Sequence, residues 1–446
     1  MTDLRTHTRY KSLVDQFAQD IRSGLLPAGT RLPTHRKLAA KHGLALVTAT
    51  RIYAELQAMG LVSGEAGRGT FVKDLSLPLG LGVDYPAQAP DHADLTFNSP
   101  LIAGQTELLR TTLRQLANSG DLESLLHYQP HAGKPQHRAI LAAHLRTRGL
   151  QVDASRLLFV DGAQHGLTVT AMALLKPGDV VAVDALTYPG FKLLAESLRL
   201  ELLPIPPSGN GPDMKALEAL CARRKVRAIY AMPTMHNPLG WVISLTRRQK
   251  LIAIARIHGL VIIEDAAYAF LADAPPPPLA ALAPDITVYV SALSKSIATG
   301  LRVGFIAAPE PLLPKLERGI RATTWNTAAV MTAIGCRWLE DGTIEQLEAG
   351  KREDAAARQA IVTEVFDSMR LQRHPHSYFV WIPLSEDLRP DQVASALLRQ
   401  RIAVSTAEPY ATTPSTPRAL RLALGSIPLA QLRAALITVR EAIAYG

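Results

Sequence analysis

The sequence predicts a large α/β domain with a mainly parallel sheet, preceded by a small helical domain. From about residue 155, short runs rich in β-branched residues alternate with helical stretches, and the runs fall at 157–160, 180–183, 228–232, 260–264 and 286–290. This alternation is typical of parallel α/β sheets. The chain has 446 residues, of which 48% are hydrophobic, so it can bury a large core divided over two or three domains.

The net charge is concentrated in the first 73 residues. These carry 11 Lys and Arg against 5 Asp and Glu, whereas the other residues carry 37 against 34. A small basic domain joined to a nearly neutral one is typical of a nucleic-acid-binding module fused to a domain of another kind. A basic face that is merely solvated would give the same balance, so charge alone does not decide between the two.

The composition excludes several classes of protein. There is no run of about 18 apolar residues, and the first residues lack the apolar stretch of a signal peptide, so we expect a cytoplasmic protein without membrane spans. The two cysteines, Cys221 and Cys336, lie far apart and outside any CxxC motif or His cluster. We therefore expect two buried thiols, no disulfide framework and no metal site.

The basic segment has the pattern of three helices followed by a hairpin. Apolar residues at helical spacing predict a first helix that begins at Tyr10. Thr34 stands at the N-cap position of a short second helix. A third helix is predicted at about 46–59, and the glycine-rich stretch at 61–72 predicts a β-hairpin. This order predicts a winged helix-turn-helix over residues 1–73.

A resemblance to the GntR family of bacterial regulators extends over residues 10–73 and rests on GTRLPTHRKLAAKHG, the helix after it and the wing GRGTFV. In that family the second helix, the outward face of the third helix and the wing tip contact double-stranded DNA. The resemblance implies that basic and hydroxyl side chains bind DNA here, namely Arg36, Thr48, Arg51 and Arg68. The third helix departs from the family where Ala45 and Leu46 replace the usual Ser-Arg, so the operator sequence is left open.

A linker is predicted between this domain and the rest of the chain. Residues 74–94 contain three prolines and two glycines without a clear period, a composition that favours an irregular connection. The second domain would then cover residues 95–446, with a large part at about 95–330 and a small C-terminal part at about 331–446.

Lys295 and Arg302 are the first candidates for chemistry. Lys295 follows a predicted strand within VSALSKSIATGLRVG, and Arg302 lies seven residues later across a loop. A lysine in a fixed pocket can form a Schiff base with an aldehyde, and a nearby arginine offers paired donors to a phosphate ester. The two residues together suit one aldehyde phosphate.

Further candidates stand at the carboxyl ends of other predicted strands, where open α/β sheets bind their ligands. Asp265, in IIEDAAYAF, could pair with the pyridinium nitrogen of pyridoxal 5'-phosphate (PLP) and keep the ring electron-withdrawing. Asn237 and the Tyr268 hydroxyl could hold the ring oxygen beside the Schiff base. The start of a helix at 162–164 offers free N–H groups to the phosphate, and Tyr188 is placed to stack on the ring.

In their order along the chain, these residues resemble the fold type I aminotransferases, and the added winged helix resembles the MocR-type regulators over residues 10–73 and about 95–440. The resemblance implies that Lys295 forms the internal aldimine and that PLP is bound by Ala163, Gln164, Tyr188, Asn237, Asp265, Tyr268, Ser294, Lys295 and Arg302. It implies that Tyr128 reaches the phosphate of the partner subunit in a homodimer, and that Arg421 binds the carboxylate of an amino compound. Ala292 stands where many members have a phosphate-binding Ser or Thr, so either Ser291 or Ser294 would replace that contact.

Two functions fit this architecture. In the first, the protein is a PLP-dependent transcription regulator in which an amino-compound effector forms an external aldimine, displaces Lys295 and changes binding to an operator. In the second, it is an aminotransferase that carries a DNA-binding appendage. The basic winged helix favours the first, since an enzyme of free amino acids does not need it, and we expect no physiological turnover. An empty PLP fold is disfavoured by Lys295 and Asp265. The effector and the direction of regulation are left open.

Overall fold

A computed structural model of the chain describes residues 2–65, 67–74, 92–119, 122–413 and 415–445. Three parts follow one another: an N-terminal winged helix, a large α/β part and a small α/β part. The predicted linker at 74–94 falls mostly on residues 75–91, which lie outside the described residues.

The described residues form fifteen helices and fourteen strands, besides short 3-10 turns. In chain order the helices are α1 (Thr2–Arg22), α2 (His35–His42), α3 (Leu46–Ala58), α4 (Gln105–Ala117), α5 (Pro135–Thr147), α6 (Gly162–Leu174), α7 (Pro189–Ser197), α8 (Met214–Arg223), α9 (Leu245–Ile257), α10 (Leu279–Leu282), α11 (Leu313–Thr323), α12 (Ala329–Glu340), α13 (Thr343–Val365), α14 (Pro390–Arg399) and α15 (Leu429–Tyr445). The strands are β1 (Val62–Glu65), β2 (Gly69–Val72), β3 (Ala93–Leu95), β4 (Leu157–Val160), β5 (Val180–Asp184), β6 (Glu201–Ile205), β7 (Val226–Ala231), β8 (Val261–Asp265), β9 (Thr287–Ala292), β10 (Gly304–Ala307), β11 (Gln372–Arg373), β12 (Phe379–Pro383), β13 (Ile402–Thr406) and β14 (Ala419–Ala423).

The N-terminal domain consists of three helices and a two-stranded wing. Thr34 caps α2 by accepting a hydrogen bond from the Lys37 N–H at 3.3 Å, and Gly43 ends that helix at a φ of 61°, where glycine is unstrained. β1 and β2 pair antiparallel to form the wing. The inward stripe of α3 is buried and comprises Ala49, Ile52, Tyr53 and Leu56. The predicted winged helix-turn-helix is confirmed.

The large part is built on a seven-stranded sheet in the order β4-β10-β9-β8-β7-β5-β6. The strands β5 to β9 pair in parallel, whereas β10 is antiparallel to both of its neighbours. Alternate residues of β5 belong to two different hydrophobic clusters, because successive side chains point to opposite faces of a sheet that is covered on both sides. The predicted mainly parallel sheet is confirmed, and β6 and β10 are strands that the five apolar runs did not include.

The small part is a five-stranded sheet in the order β11-β12-β14-β13-β3, with α14 packed on β13. β3 pairs in parallel with β13, so this sheet takes strands from both ends of the second domain. The long helix α13 connects the two parts. Ile344 and Leu347, near its start, pack in a core of the large part, whereas Val362 and Val365, near its end, pack in the core of the small part.

Cys221 and Cys336 are buried free thiols, as predicted. Within the described residues, no helix combines the length and the apolar character needed to cross a membrane. The same part of the chain contains no group of three or more His, Cys, Asp or Glu side chains arranged to hold a metal ion.

Candidate functional site

A cavity of about 450 Å³ lies beyond the carboxyl ends of the parallel strands, beside the small part. Most of the residues singled out from the sequence line it, namely Ala163, Gln164, Tyr188, Asn237, Asp265, Tyr268, Ser294, Lys295, Arg302 and Arg421. Tyr128 lies elsewhere: its side chain is 82% exposed and contacts Trp325, with ring centroids 5.6 Å apart. The described chain therefore assembles every predicted cavity residue except the one expected to serve a partner subunit.

Lys295 follows β9 and directs its amine toward the small part. The Nζ atom donates to the Asn98 carbonyl at 2.8 Å and lies 5.6 Å from the centroid of the Tyr268 ring. The Asn98 side-chain oxygen in turn accepts from the Gly425 N–H at 3.0 Å. The lysine amine is thus held at the junction of the large and small parts.

Asp265 ends β8 with a buried carboxylate, only 2% exposed. It accepts hydrogen bonds from the Tyr230 hydroxyl at 2.8 Å and from the Ala267 N–H at 3.0 Å. Burial raises the pKa of the Asp265 carboxyl, and these two donors act in the opposite direction. Among the described residues no Lys or Arg forms an ion pair with it, so the carboxylate suits a cationic group bound in the cavity.

The other end of the cavity suits an anion. Gly162 begins α6 at a φ of 82°, and a Cβ atom there would lie 2.5 Å from Arg302 Nη2, so glycine allows the guanidinium to lie over the helix start. A helix N-terminus and an arginine together favour a phosphate. The Ser294 hydroxyl is buried without a hydrogen-bond partner in the described chain, whereas Ser291 donates to the Ala266 carbonyl at 3.1 Å. Of the two serines, Ser294 is the one available to a ligand.

Two more groups face the cavity between these ends. The side-chain oxygen of Asn237 is buried without a hydrogen-bond partner among the described residues. A Cβ atom on Gly190 would lie 2.5 Å from the Tyr188 ring, so the absence of a side chain at 190 makes room for that ring. Gln164 fixes the same segment by donating to the Gly190 carbonyl at 2.9 Å.

Arg421 reaches the cavity from β14 of the small part. Its side chain is 3% exposed, and its Nη1 donates to the Thr96 carbonyl at 2.8 Å. The guanidinium lies 5.2 Å from the Phe379 ring centroid and 5.8 Å from that of Tyr410. A guanidinium that is oriented in this way before binding suits a carboxylate, which accepts two parallel hydrogen bonds.

The outer face of the winged helix carries the predicted DNA-binding residues. Arg36 and Arg51 are exposed, and Thr48 is half-buried. The first turn of α3 also exposes Leu46 at 49% and Val47 at 80%. These two apolar side chains directly precede Thr48 in the chain.

Residues 90–438 match the family model of aminotransferase class I and II. The chain belongs to the class I and II aminotransferase family. Residues 9–72 match a second model, that of the gntR family of bacterial regulatory proteins. The chain is therefore a GntR-type regulator fused to an aminotransferase-like domain, as the resemblance to MocR-type regulators implied.

Relatives of both kinds are found. The uncharacterized HTH-type transcriptional regulator YdeF of Bacillus subtilis is 28% identical over 93% of this chain and 90% of its own length. The 2-aminoadipate transaminase of Thermus thermophilus is 27% identical over 74% of this chain and 84% of its own. The crystal structure of an archaeal alanine:glyoxylate aminotransferase superposes with a TM-score of 0.74 at 25% identity, covering 79% of this chain and 91% of that one. The first of these relatives spans both domains of the chain.

The GntR-type domain contacts the small part of the aminotransferase-like domain through its wing. Glu65, at the end of β1, is buried and forms ion pairs with Arg389 at 3.1 Å and Arg418 at 3.4 Å. Arg68 at the wing tip donates to the Glu386 carbonyl. Unlike Arg36 and Arg51, Arg68 is therefore engaged by the small part in this structure.

Three residues that contribute to the site were missed in the sequence. Tyr230 lies in the apolar run AIYAM, where a hydroxyl inside a buried strand signals a polar partner. Asn98 and Tyr410 lie in irregular segments far from Lys295 in the chain, and no local pattern marks them.

Proposed function

We propose that the protein is a PLP-dependent DNA-binding regulator of transcription, acting in the cytoplasm, and that its aminotransferase-like domain senses a small amino compound. The observation that carries this proposal is the segment that follows β13. Tyr410 of this segment lines the cavity, and Glu408 forms a 2.6 Å ion pair with Lys73 at the base of the wing. A change in the cavity can therefore act on the DNA-binding domain through one segment, a connection that an enzyme of free amino acids does not need.

The cavity residues fit PLP. The Asp265 carboxylate suits the pyridinium nitrogen, the start of α6 with Arg302 and Ser294 suits the phosphate, and the Lys295 amine suits the aldehyde. When bound, PLP supplies an electron-withdrawing ring and an aldehyde that joins reversibly to amines.

Lys295 is the amine that an effector would replace. A free Lys295 amine donates to Asn98, as in this structure, and Asn98 accepts from Gly425 of the small part. Whether the Lys295 amine is free or linked to PLP would therefore affect the contact between the large part and the small part. An effector with a carboxylate would also bind Arg421, which belongs to the small part. Such differential contacts can shift a two-state arrangement of domains.

DNA binding is assigned to the exposed face of the winged helix, with Arg36, Thr48 and Arg51 as contact residues. Arg68 would join them when the wing leaves the small part, because its donors are now turned toward Glu386. The effector would thus change how readily the wing leaves the small part and contacts DNA.

We propose further that the protein is a homodimer through its large part. Leu126 is 85% exposed and Tyr128 is 82% exposed, and both lie in one segment of the large part. Large apolar side chains with this exposure favour a protein contact, and a two-fold dimer would present two winged helices to DNA half-sites. Light scattering at micromolar concentration should give twice the mass of the chain, and a PLP-bound monomer would contradict the proposal.

The function is tested by titrating amines and amino acids into the full-length protein loaded with PLP. The visible spectrum of PLP and the affinity for a DNA duplex selected from random sequences are followed together. We expect both to change over the same concentration range, with little keto acid formed.

The alternative is an aminotransferase that carries a DNA-binding appendage, which the similarity to the 2-aminoadipate transaminase keeps open. A spectral change without any change in DNA affinity, together with steady accumulation of keto acid, would establish that alternative.

A further inference from the structure

Lys351 on α13 is a fully buried lysine outside the set of residues assigned above, with 0% of its side chain exposed. Its ammonium donates to the Ile297 carbonyl at 2.6 Å and to the Lys295 carbonyl at 3.1 Å. A charged side chain is costly to bury unless hydrogen bonds compensate for the lost water. Here part of that compensation comes from the carbonyl of Lys295, the residue expected to hold the cofactor.

The segment that carries Lys295 depends on such outside contacts. β9 ends at Ala292, and the chain continues as a turn before the short 3-10 helix at Thr299–Leu301. The N–H and C=O groups of a turn lack the repeating hydrogen bonds of a helix or strand, so other groups of the protein must bond to them. Gln105 donates to the Ile297 carbonyl at 2.8 Å, and Lys351 donates to the carbonyls of both Ile297 and Lys295. Lys351 therefore links two carbonyls of the turn, those of Lys295 and Ile297, to α13.

We propose that Lys351 is a positioning residue for Lys295. It fixes the turn so that the Lys295 amine enters the cavity from one direction. The experiments that use PLP to report on Lys295 rest on the proposed function. The hydrogen-exchange experiment on the turn itself rests on the structure alone.

The charges of the two lysines support a close relation. Burial and, to a smaller extent, the positive charge of Lys295 lower the pKa of Lys351 to about 7, whereas Asp354 on the same helix acts in the opposite direction. Loss of the positive charge on Lys295 would remove one of the causes that lower the pKa of Lys351, so Lys351 would keep its proton more easily.

The test compares three variants of the full-length protein. Lys351→Met removes the donors but keeps a long unbranched side chain, and Lys351→Arg keeps buried donors. Arg358→Met is the matched control, because Arg358 is a buried cation on the same helix that donates to the Leu424 and Ile427 carbonyls at 2.6 and 2.8 Å, in the small part. It also pairs with Asp354 at 2.8 Å, and none of these hydrogen bonds goes to the turn at 293–298. Lys351→Gln, with one remaining donor group, replaces the methionine variant if that variant does not fold.

We expect Lys351→Met to lower the affinity for PLP roughly tenfold, as the loss of a buried hydrogen-bonding group predicts. The visible circular dichroism of bound PLP, which reports its fixed orientation, should fall as well, and Lys351→Arg should restore most of it. Arg358→Met should lower the melting temperature but leave the dichroism unchanged. Wild-type affinity and dichroism in Lys351→Met, or an equal loss in Arg358→Met, would overturn the proposal.

A second measurement does not depend on PLP. In the cofactor-free protein, amide hydrogen exchange at residues 293–298 should be faster in Lys351→Met than in the wild type and unchanged in Arg358→Met. Equal exchange in the wild type and Lys351→Met would reject the positioning role. Failure of the wild type to bind PLP through Lys295 would instead reject the proposed function.

Discussion

The cavity and the DNA-binding face both rely on arginines, but they hold them in opposite ways. Arg421 is buried and bonded to the Thr96 carbonyl, whereas Arg36 and Arg51 extend from the surface of the winged helix. A buried charge acts at short range in a medium of low dielectric constant, and an exposed charge acts over a longer range that salt reduces. Removal of Arg421 should therefore affect one class of ligand and depend little on salt, whereas each exposed arginine should contribute a salt-dependent part of DNA binding.

Arg68 shares features of both the buried arginine of the cavity and the exposed arginines of the DNA-binding face. It belongs to the wing, but its donor group is turned to the Glu386 carbonyl of the small part. The same side chain cannot serve this contact and a DNA phosphate at once, so the contact between wing and small part is where the two regions compete.

The largest effect is expected from Lys295→Ala. This variant should lose all covalent attachment of PLP, because its side chain has no amine to join the aldehyde. Borohydride reduction followed by mass spectrometry measures the linkage. Lys192→Ala serves as a control, since Lys192 is a half-buried lysine that donates to the carbonyls of Glu408 and Pro409 beside the cavity. A reducible linkage that persists in Lys295→Ala would show that another lysine holds the cofactor.

Arg421→Met should reduce the response to amino acids about tenfold to a hundredfold, the range expected for hydrogen bonds to a charged group. The response to amines without a carboxylate should be unchanged, since they make no use of the guanidinium. Titrations followed by the visible spectrum of PLP compare each amino acid with its decarboxylated amine. Equal losses for both members of a pair would mean that Arg421 supports the cavity without binding the carboxylate.

Arg36→Ala and Arg51→Ala should each weaken binding to the selected duplex by roughly 1–3 kcal/mol if the arginine contacts a base. A phosphate contact would instead lower the dependence of affinity on salt by about one counterion. Fluorescence anisotropy at several salt concentrations distinguishes the two. Arg433→Ala is the control, because Arg433 is an exposed arginine on α15 that pairs with Glu364. Affinity like that of the control in both variants would place the DNA-binding face elsewhere.

The smallest effect is expected from Glu65→Gln. The loss of its negative charge should loosen the wing from Arg389 and Arg418 and free Arg68, so the affinity for DNA without effector should rise by a few-fold. The exposed Glu364→Gln change provides the control. Unchanged or lower affinity in Glu65→Gln would show that the docked wing does not restrain DNA binding.

The order of elements and the main cavity residues could be predicted from the sequence. The stripe of Ala49, Ile52 and Leu56 faces the core of the winged helix because helical spacing alone places these residues on one side. Lys295 and Asp265 lie together because each follows a parallel strand, and the carboxyl ends of parallel strands meet at one edge of the sheet. Where local pattern and sheet topology decide, the sequence is sufficient.

The contacts between residues that lie far apart in the chain were decided by the tertiary structure. Asn98 meets the Lys295 amine, Lys351 meets the turn behind it, and Glu65 meets Arg389, in each case across a long stretch of chain. Such pairs depend on how the small part packs against the large part and the wing, and no period or turn signal encodes that packing. A buried lysine and a buried glutamate are costly without their partners, so the folded chain had to supply partners that the linear sequence does not show.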